Sequence, residues 1–336
     1  MPGDEVEVGE SEKIHLFHLR DKASKYDAYW NEMGSVSLQA FLNAKPEFPM
    51  TILVTGATGN VGRNVVTQLV NRGADVRALV RDPVKADFPT GVEIVQGDFL
   101  DVDALRQAYS GVSTLFLLNA VVADEYTQAL IALNLAREAG IERIVYLSVI
   151  HSDTYVNVPH FAGKFGVERM IEAMEIHATI LRPAYYIDND VTIKDVVVGH
   201  GVYPMPIGTK GLAMVDTRDV GEIAAIELIR RERSATPLPI TRINLVGPDT
   251  LTGPDVAAIW SEVLGRPITY PGDDTDAFEQ NLRQFMPSWM ALDMRVMAER
   301  FLTAGMVPEA GDVARLTSML GRPLRSYRDF AAQVAG

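Results

Sequence analysis

Three glycines stand at fixed offsets in the stretch Gly56-Ala57-Thr58-Gly59-Asn60-Val61-Gly62, directly after the apolar run Ile52-Leu53-Val54. Val61, Val65 and Leu69 then recur four apart, and Gly73 ends the pattern. An apolar run, a glycine turn and an amphipathic period of this kind spell strand, turn and helix. Gly56 permits the tight turn, Gly59 lets a phosphate approach the backbone, and Gly62 lets the helix pack closely on the strand. The free N–H groups and dipole of the helix start favour an anion, such as the pyrophosphate of a dinucleotide. Taken alone the triplet is weak, because a glycine-rich turn can also bind nothing.

The surrounding sequence supplies context. A second apolar run at 76–80 completes a βαβ unit. Strand patterns at 92–95, 114–118 and 144–147 then alternate with helix patterns at 102–108 and 126–139. Strands separated by helices imply an α/β fold, a doubly wound parallel Rossmann sheet that binds its ligand at the carboxyl ends of the strands. Beyond Pro183 the alternation loosens. Residues 212–215 and 243–246 read as further strands around a helix at 220–229, with Asp219 suited to its start. The expected organisation is an N-terminal extension at 1–49, a dinucleotide-binding domain at 50–183 plus 212–247, and a smaller C-terminal α+β substrate lobe at 184–211 and 248–336.

The end of the second strand chooses the cofactor. An acidic residue there would hold a ribose 2′-OH, as for NAD. Arg81 stands in that place, and Arg63 follows the last glycine. Two guanidinium groups near one ribose suit a 2′-phosphate, so NADP(H) is expected, while Asp82 keeps NAD(H) open.

Other features narrow the class. A net charge of −13 argues against nucleic acid as a partner. No apolar run is long enough to span a membrane, and the acidic start, Met1-Pro2-Gly3-Asp4-Glu5, lacks the apolar core of a signal peptide. Cysteine is absent, which removes thiolate chemistry and fits a cytoplasmic setting. No metal site is expected: Asp273, Asp274 and Asp276 read as the acidic start of a helix. Met286, Trp289, Met290, Met294 and Met297 recur at helical spacing and read as core packing. The segment 201–208 is irregular, either a plain connection or a loop over the site. In residues 1–49, Ile14, Phe17, Tyr26, Trp30 and Met33 suggest a helix with an apolar face; the expectation is either an arm that packs on the body or on a partner subunit, or an upstream artefact with Met50 as the true start.

From Met50 onward the sequence resembles the NmrA-like family of atypical short-chain dehydrogenases. The resemblance rests on Thr55 to Gly62, on Val80-Arg81-Asp82-Pro83 and on Gly97-Asp98-Phe99. It continues through His160-Phe161-Ala162-Gly163-Lys164 and Leu181-Arg182-Pro183-Ala184-Tyr185-Tyr186. The cofactor-binding candidates at the turn are Gly56, Thr58, Gly59, Asn60, Val61 and Gly62, with Arg63 beside them for the 2′-phosphate. The resemblance implies that Asp98 and Phe99 would border the adenine, and Asn119 and Ala120 the nicotinamide side. Lys164 would bond the nicotinamide ribose, while Pro183, Tyr185 and Tyr186 would pass beside the ring.

The departures concern catalysis. Related enzymes pair a Tyr with a Lys four residues later, so both lie on one helix face and the phenol exchanges a proton. His160 occupies the place of that Tyr, and the Ser after the fifth strand is replaced by Val149, with Ser148 one residue early. His160, Lys164 and Tyr186 are the remaining catalytic candidates, and His160 reads equally as a helix-start residue after Pro159. Three functions stay open. One is an NADPH-dependent oxidoreductase passing hydride to a small conjugated acceptor: a quinone, an azo compound, an imine or a biosynthetic intermediate. Another is a non-catalytic NADP(H)-sensing regulator that binds a protein partner. The third is an enzyme of the same fold whose cofactor is structural and whose chemistry is not net reduction. The sequence leaves a homodimer open in each case.

Overall fold

The computed structural model describes residues 50–335. The expectations for 1–49 lie outside the described residues. Seven apolar runs form the strands β1 (Thr51–Val54), β2 (Asp75–Val80), β3 (Glu93–Gln96), β4 (Val112–Leu117), β5 (Arg143–Leu147), β6 (Ala178–Pro183) and β7 (Thr241–Leu245). They pair in parallel in the order β3-β2-β1-β4-β5-β6-β7. Parallel pairing needs long crossovers, and the crossover helices cover both faces.

On one face lie α1 (Asn60–Asn71) and α6 (Thr217–Glu232). They bury Val61, Val65 and Leu69 together with Val220, Ile223 and Leu228 against Ile52, Val54 and Val145. The other face carries α2 (Val102–Tyr109), α3 (Glu125–Glu138) and α4 (Pro159–Ala173), whose Leu105, Leu133 and Ile171 pack on Leu53, Leu115 and Ile144. Fully burying each such side chain stabilises the fold by about 1.5–3 kcal/mol.

The chain reverses direction across the sheet between β1 and β4. Thr55, the residue after β1, ties their ends together. Its Oγ1 lies 3.0 Å from the carbonyl oxygens of both Phe116 and Leu118, and it accepts the Leu118 N–H at 2.9 Å. A crevice therefore opens at a fixed place beyond the strands' carboxyl ends.

The later chain forms a 3₁₀ segment at Ile187–Ile193, then α5 (Lys194–His200), α7 (Gly253–Leu264), α8 (Thr275–Leu282), α9 (Ser288–Thr303), α10 (Asp312–Leu320) and α11 (Tyr327–Ala335). Thr252 and Asp255 close a reciprocal capping box on α7, and Asp274 caps α8 by accepting the Ala277 N–H at 2.9 Å. No helix among the described residues is long and apolar enough to cross a membrane.

Two expectations need correction. The sixth strand, β6, is absent from the sequence reading, although Ala178-Thr179-Ile180-Leu181 is a short apolar run before Pro183. Residues 212–215 do not join the sheet. Leu212 bridges Leu251 and Met306, and Val215 bridges Tyr186, so the segment pairs residue by residue with several partners and never builds a ladder. The irregular segment at 201–208 packs inward: Tyr203 is buried, and the Gly208 N–H reaches Tyr270 Oη and Asp273 Oδ1 at 3.0 Å each. Along α9, Met297 is buried and Met294 partly so, but Trp289 is exposed.

Candidate functional site

A cavity of about 420 Å³ lies at the switch point between β1 and β4. Gly56, Thr58, Gly59, Asn60 and Val61 form one wall, and Leu79, Val80 and Arg81 bring in the end of β2. Gly97, Asp98 and Phe99 follow β3; Leu118, Asn119, Ala120 and Val122 follow β4. Gln128, Leu147, Tyr186 and Asn189 complete the far end. A second hollow of about 390 Å³ shares Arg81, Gly97 and Asp98 and extends to Gln96, Asp101 and Ala104.

The glycine turn has the shape a phosphate needs. Gly56 has φ +60°, a left-handed conformation that an L side chain would strain. A Cβ at Gly62 would stand 2.1 Å from the Gly56 carbonyl oxygen, so only glycine lets α1 meet the turn. A Cβ at Gly59 would meet only that same oxygen, at 3.3 Å. Gly59 is the N-cap of α1 and no side chain caps it, leaving the first N–H groups for an anion.

The two arginines differ. Arg81 lines both hollows, is exposed, and its guanidinium has no hydrogen bond or ion pair among the described residues. Arg63 does not line the cavity. Its Nε donates to the Thr58 carbonyl at 2.9 Å and its Nη2 reaches the Lys85 carbonyl at 3.4 Å, so it braces the glycine turn from outside.

At the opposite end, the Asn119 Nδ2 donates to the Glu125 carbonyl at 2.8 Å. That bond fixes the amide and leaves Oδ1 buried without a partner. A buried acceptor with nothing to accept is costly unless a ligand supplies the donor. The orphaned oxygen, the bare helix start and the glycine cradle together fit a dinucleotide. Tyr186 lines this end, and burial, with Asp188 adding to it, pushes its phenol above the ordinary range.

The other catalytic candidates stand off the cavity. Lys164 is buried and its Nζ donates to Glu125 Oε1 at 2.6 Å. His160 Nδ1 bonds Asp293 Oδ2, and the His160 backbone N–H reaches Asp293 Oδ1 at 3.0 Å. Ser148 Oγ donates to Glu168 Oε1 at 2.5 Å, and Glu168 also holds Ser152 and Arg182, so that hydroxyl is engaged away from the site. Pro183 closes β6, and Tyr185 turns its hydroxyl to Asp190 at 3.1 Å. Neither lines the cavity, nor does Gly62.

Sequence reasoning passed over Glu125, Asp293 and Asp190. Asp190 is fully buried and accepts hydroxyls from Tyr185, Tyr203 and Tyr327 at 3.1, 3.0 and 2.6 Å. Desolvation pushes its carboxyl up to about 6, against the lowering effect of the phenols. A charged residue inside an otherwise apolar helix pattern, as at Asp293 between Leu292 and Met294, was the one local signal.

Known proteins resemble this chain in sequence and in fold. The chain is 27% identical over 285 residues to the NAD(P)H azoreductase of Xenophilus azovorans, covering 83% of this chain and 96% of that protein. It is 32% identical over 291 residues to a (4-alkanoyl-5-oxo-2,5-dihydrofuran-3-yl)methyl phosphate reductase of Streptomyces griseus, covering 84% and 98%. The crystal structure of an NADPH-dependent quinone oxidoreductase from Escherichia coli, complexed with NADPH, superposes with a TM-score of 0.75 at 25% identity. That match covers 85% of this chain and 100% of that one. The NmrA-like family matches residues 49–320, and the chain belongs to it.

Proposed function

We propose that this NmrA-like protein is an NADPH-dependent reductase that passes hydride to a small conjugated organic acceptor. The observation that carries the cofactor half is Arg81, an unpaired cation at the end of β2 where an NAD site would place an acid. The reductase half draws on relatives that reduce azo, furanone and quinone compounds and that this chain matches over nearly their whole length.

The N-terminal N–H groups of α1 would hold the pyrophosphate, and Arg81 would meet the 2′-phosphate. Asp98 and Phe99 border the adenine side. Asn119 Oδ1, buried and without a partner, would accept a hydrogen bond from the ribose or carboxamide end. The bound nicotinamide supplies hydride. Leu118, Val122 and Leu147 wall the same end and would limit water there once a ligand is bound. Burial pushes the Tyr186 phenol upward, so it would serve a bound ligand as a hydrogen-bond donor and not as a base.

Stopped-flow oxidation of NADPH with a panel of quinones, azo dyes and imines tests this reading. Turnover with at least one acceptor and little alcohol oxidation is expected. Tight NADPH binding with no turnover across the panel would instead favour a cofactor-sensing regulator.

A further inference from the structure

We propose that Asp190 is a positioning residue for the acceptor: by holding three tyrosine hydroxyls it sets the wall of the cavity that Tyr186 and Asn189 form. This rests on the reductase reading above. Asp190 is buried in the 3₁₀ segment Ile187–Ile193, one residue beyond Asn189. Its Oδ1 accepts the Tyr185 hydroxyl at 3.1 Å, and its Oδ2 accepts those of Tyr203 at 3.0 Å and Tyr327 at 2.6 Å. The three phenols come from the turn after β6, from the irregular segment 201–208 and from the first residue of α11. Trp260 of α7 donates its Nε1–H to the Tyr327 oxygen at 3.0 Å, which joins a fourth element to the same carboxyl.

Asp190 and its three tyrosines do not line the cavity, whereas Tyr186 and Asn189 do. The Tyr186 backbone is extended, with φ −78° and ψ 127°. Successive side chains of an extended chain point to opposite sides, so the bond that draws Tyr185 to Asp190 turns Tyr186 toward the cavity. Asp188 pins the same segment to the start of α6, accepting the Thr217 N–H at 3.0 Å and its hydroxyl at 2.8 Å. The Tyr186 hydroxyl has no hydrogen-bond partner among the described residues and stands free for a ligand. In the reading above the dinucleotide lies along the glycine turn and the ends of β2, β3 and β4. Tyr186 and Asn189 are then the polar groups that the turn after β6 adds where the acceptor must sit.

Stability alone does not call for such a hub. Burying a carboxyl and three hydroxyls carries a desolvation cost that well-packed apolar side chains of the same volume avoid. What the hydrogen bonds add is direction, because each hydroxyl must point at one group and the segment then has one seat. A wall held to within about 0.5 Å needs supports of this kind behind it.

Tyr327→Phe deletes one oxygen on α11, outside the cavity lining, and tests the assignment in the full chain. Kinetics at about pH 8, above the range in which Asp190 titrates, should show the acceptor KM raised about five- to tenfold, with kcat within about twofold of wild type. NADPH affinity by calorimetry should not change. Hydrogen exchange of the NADPH-bound protein reads the wall directly: peptides spanning 186–193 should exchange faster in the variant, and peptides spanning 56–62 should not. A purely structural bond would instead lower the melting temperature and speed exchange evenly, with the acceptor KM at its wild-type value. Either a wild-type KM or an even rise in exchange overturns the positioning role and leaves the reductase standing. A wild-type protein that turns over no acceptor overturns the reductase reading and this inference with it. Should Tyr327→Phe fail to fold, Tyr203→Phe removes a different oxygen from the same carboxyl and carries the same expectations.

Discussion

Lys164 Nζ lies 2.6 Å from Glu125 Oε1, and both side chains are buried. The lysine expected to serve the nicotinamide ribose is thus already anchored to α3, with two of its three hydrogens unused by any described residue. An ammonium in this place cannot be removed cleanly. Truncation leaves Glu125 buried without its counter-charge, and breaking such a pair costs about 3–5 kcal/mol.

Lys164→Ala should therefore lower stability as well as weaken cofactor use. Glu125→Gln combined with Lys164→Met should restore most of the stability without restoring cofactor affinity. Denaturant titration beside calorimetry separates the two effects. A Lys164→Ala protein as stable as wild type would show that the pair contributes little.

The second and third glycines of the turn should fail in different ways. Gly62→Ala forces a Cβ to within 2.1 Å of a carbonyl oxygen and 2.8 Å of the Ala57 Cα, so the backbone must shift. Overpacking of that kind costs about 1–3 kcal/mol. Gly59→Val meets little protein and fills the space of the pyrophosphate instead. Its melting temperature should stay near wild type while NADPH binding is lost. Normal binding by Gly59→Val would remove the turn as the phosphate site.

Arg81→Ala should weaken NADPH and leave NADH almost unchanged. Charge-assisted hydrogen bonds contribute about 1.5–3 kcal/mol when desolvated and less when exposed, and Arg81 is exposed. A fall of about tenfold in NADPH affinity is the expected size. Arg63→Ala should act on both cofactors alike, because Arg63 braces the turn. Equal native affinity for NADPH and NADH would sink the assignment of Arg81.

Asp190 predicts a pH dependence of stability. Its folded carboxyl titrates near about 6 rather than at 3.8, so the folded protein holds a proton that the unfolded chain releases earlier. The stabilisation is complete below about pH 4 and is lost as pH rises through about 6. Linkage makes this about 3 kcal/mol at most. The phenols of Tyr185, Tyr203 and Tyr327 are pushed upward and stay neutral across that window. Asp190→Asn should flatten the profile between pH 4 and 6.5; parallel curves for variant and wild type would refute the claim.

Much of the sheet was legible because parallel strands are buried on both faces and read as unbroken apolar runs, as Ile52-Leu53-Val54 does. The cradle was legible because Gly56, Gly59 and Gly62 are local, and their spacing is the geometry. Strand β6 escaped because Arg182 and Pro183 interrupt its end. The partners of the catalytic candidates escaped for another reason. Glu125 is 39 residues from Lys164 and Asp293 is 133 from His160, and no period or motif links such pairs. Arg63 looked like a second phosphate ligand because sequence adjacency does not reveal that its guanidinium is already bonded to the Thr58 carbonyl.

The hydroxyl of Thr55 that joins the ends of β1 and β4 also bears on how the chain reaches its native state. The cavity has no floor until β1 has found a strand 61 residues away, and that pairing is a slow, long-range event in a parallel sheet. The phosphate turn and the loop after β4 face one another only once the two strands pair, so cofactor should engage a chain whose central strands are already docked. Its stabilisation should appear almost wholly as slower unfolding, with the refolding rate untouched, so that cofactor supply governs how long each molecule lasts and not how quickly it matures.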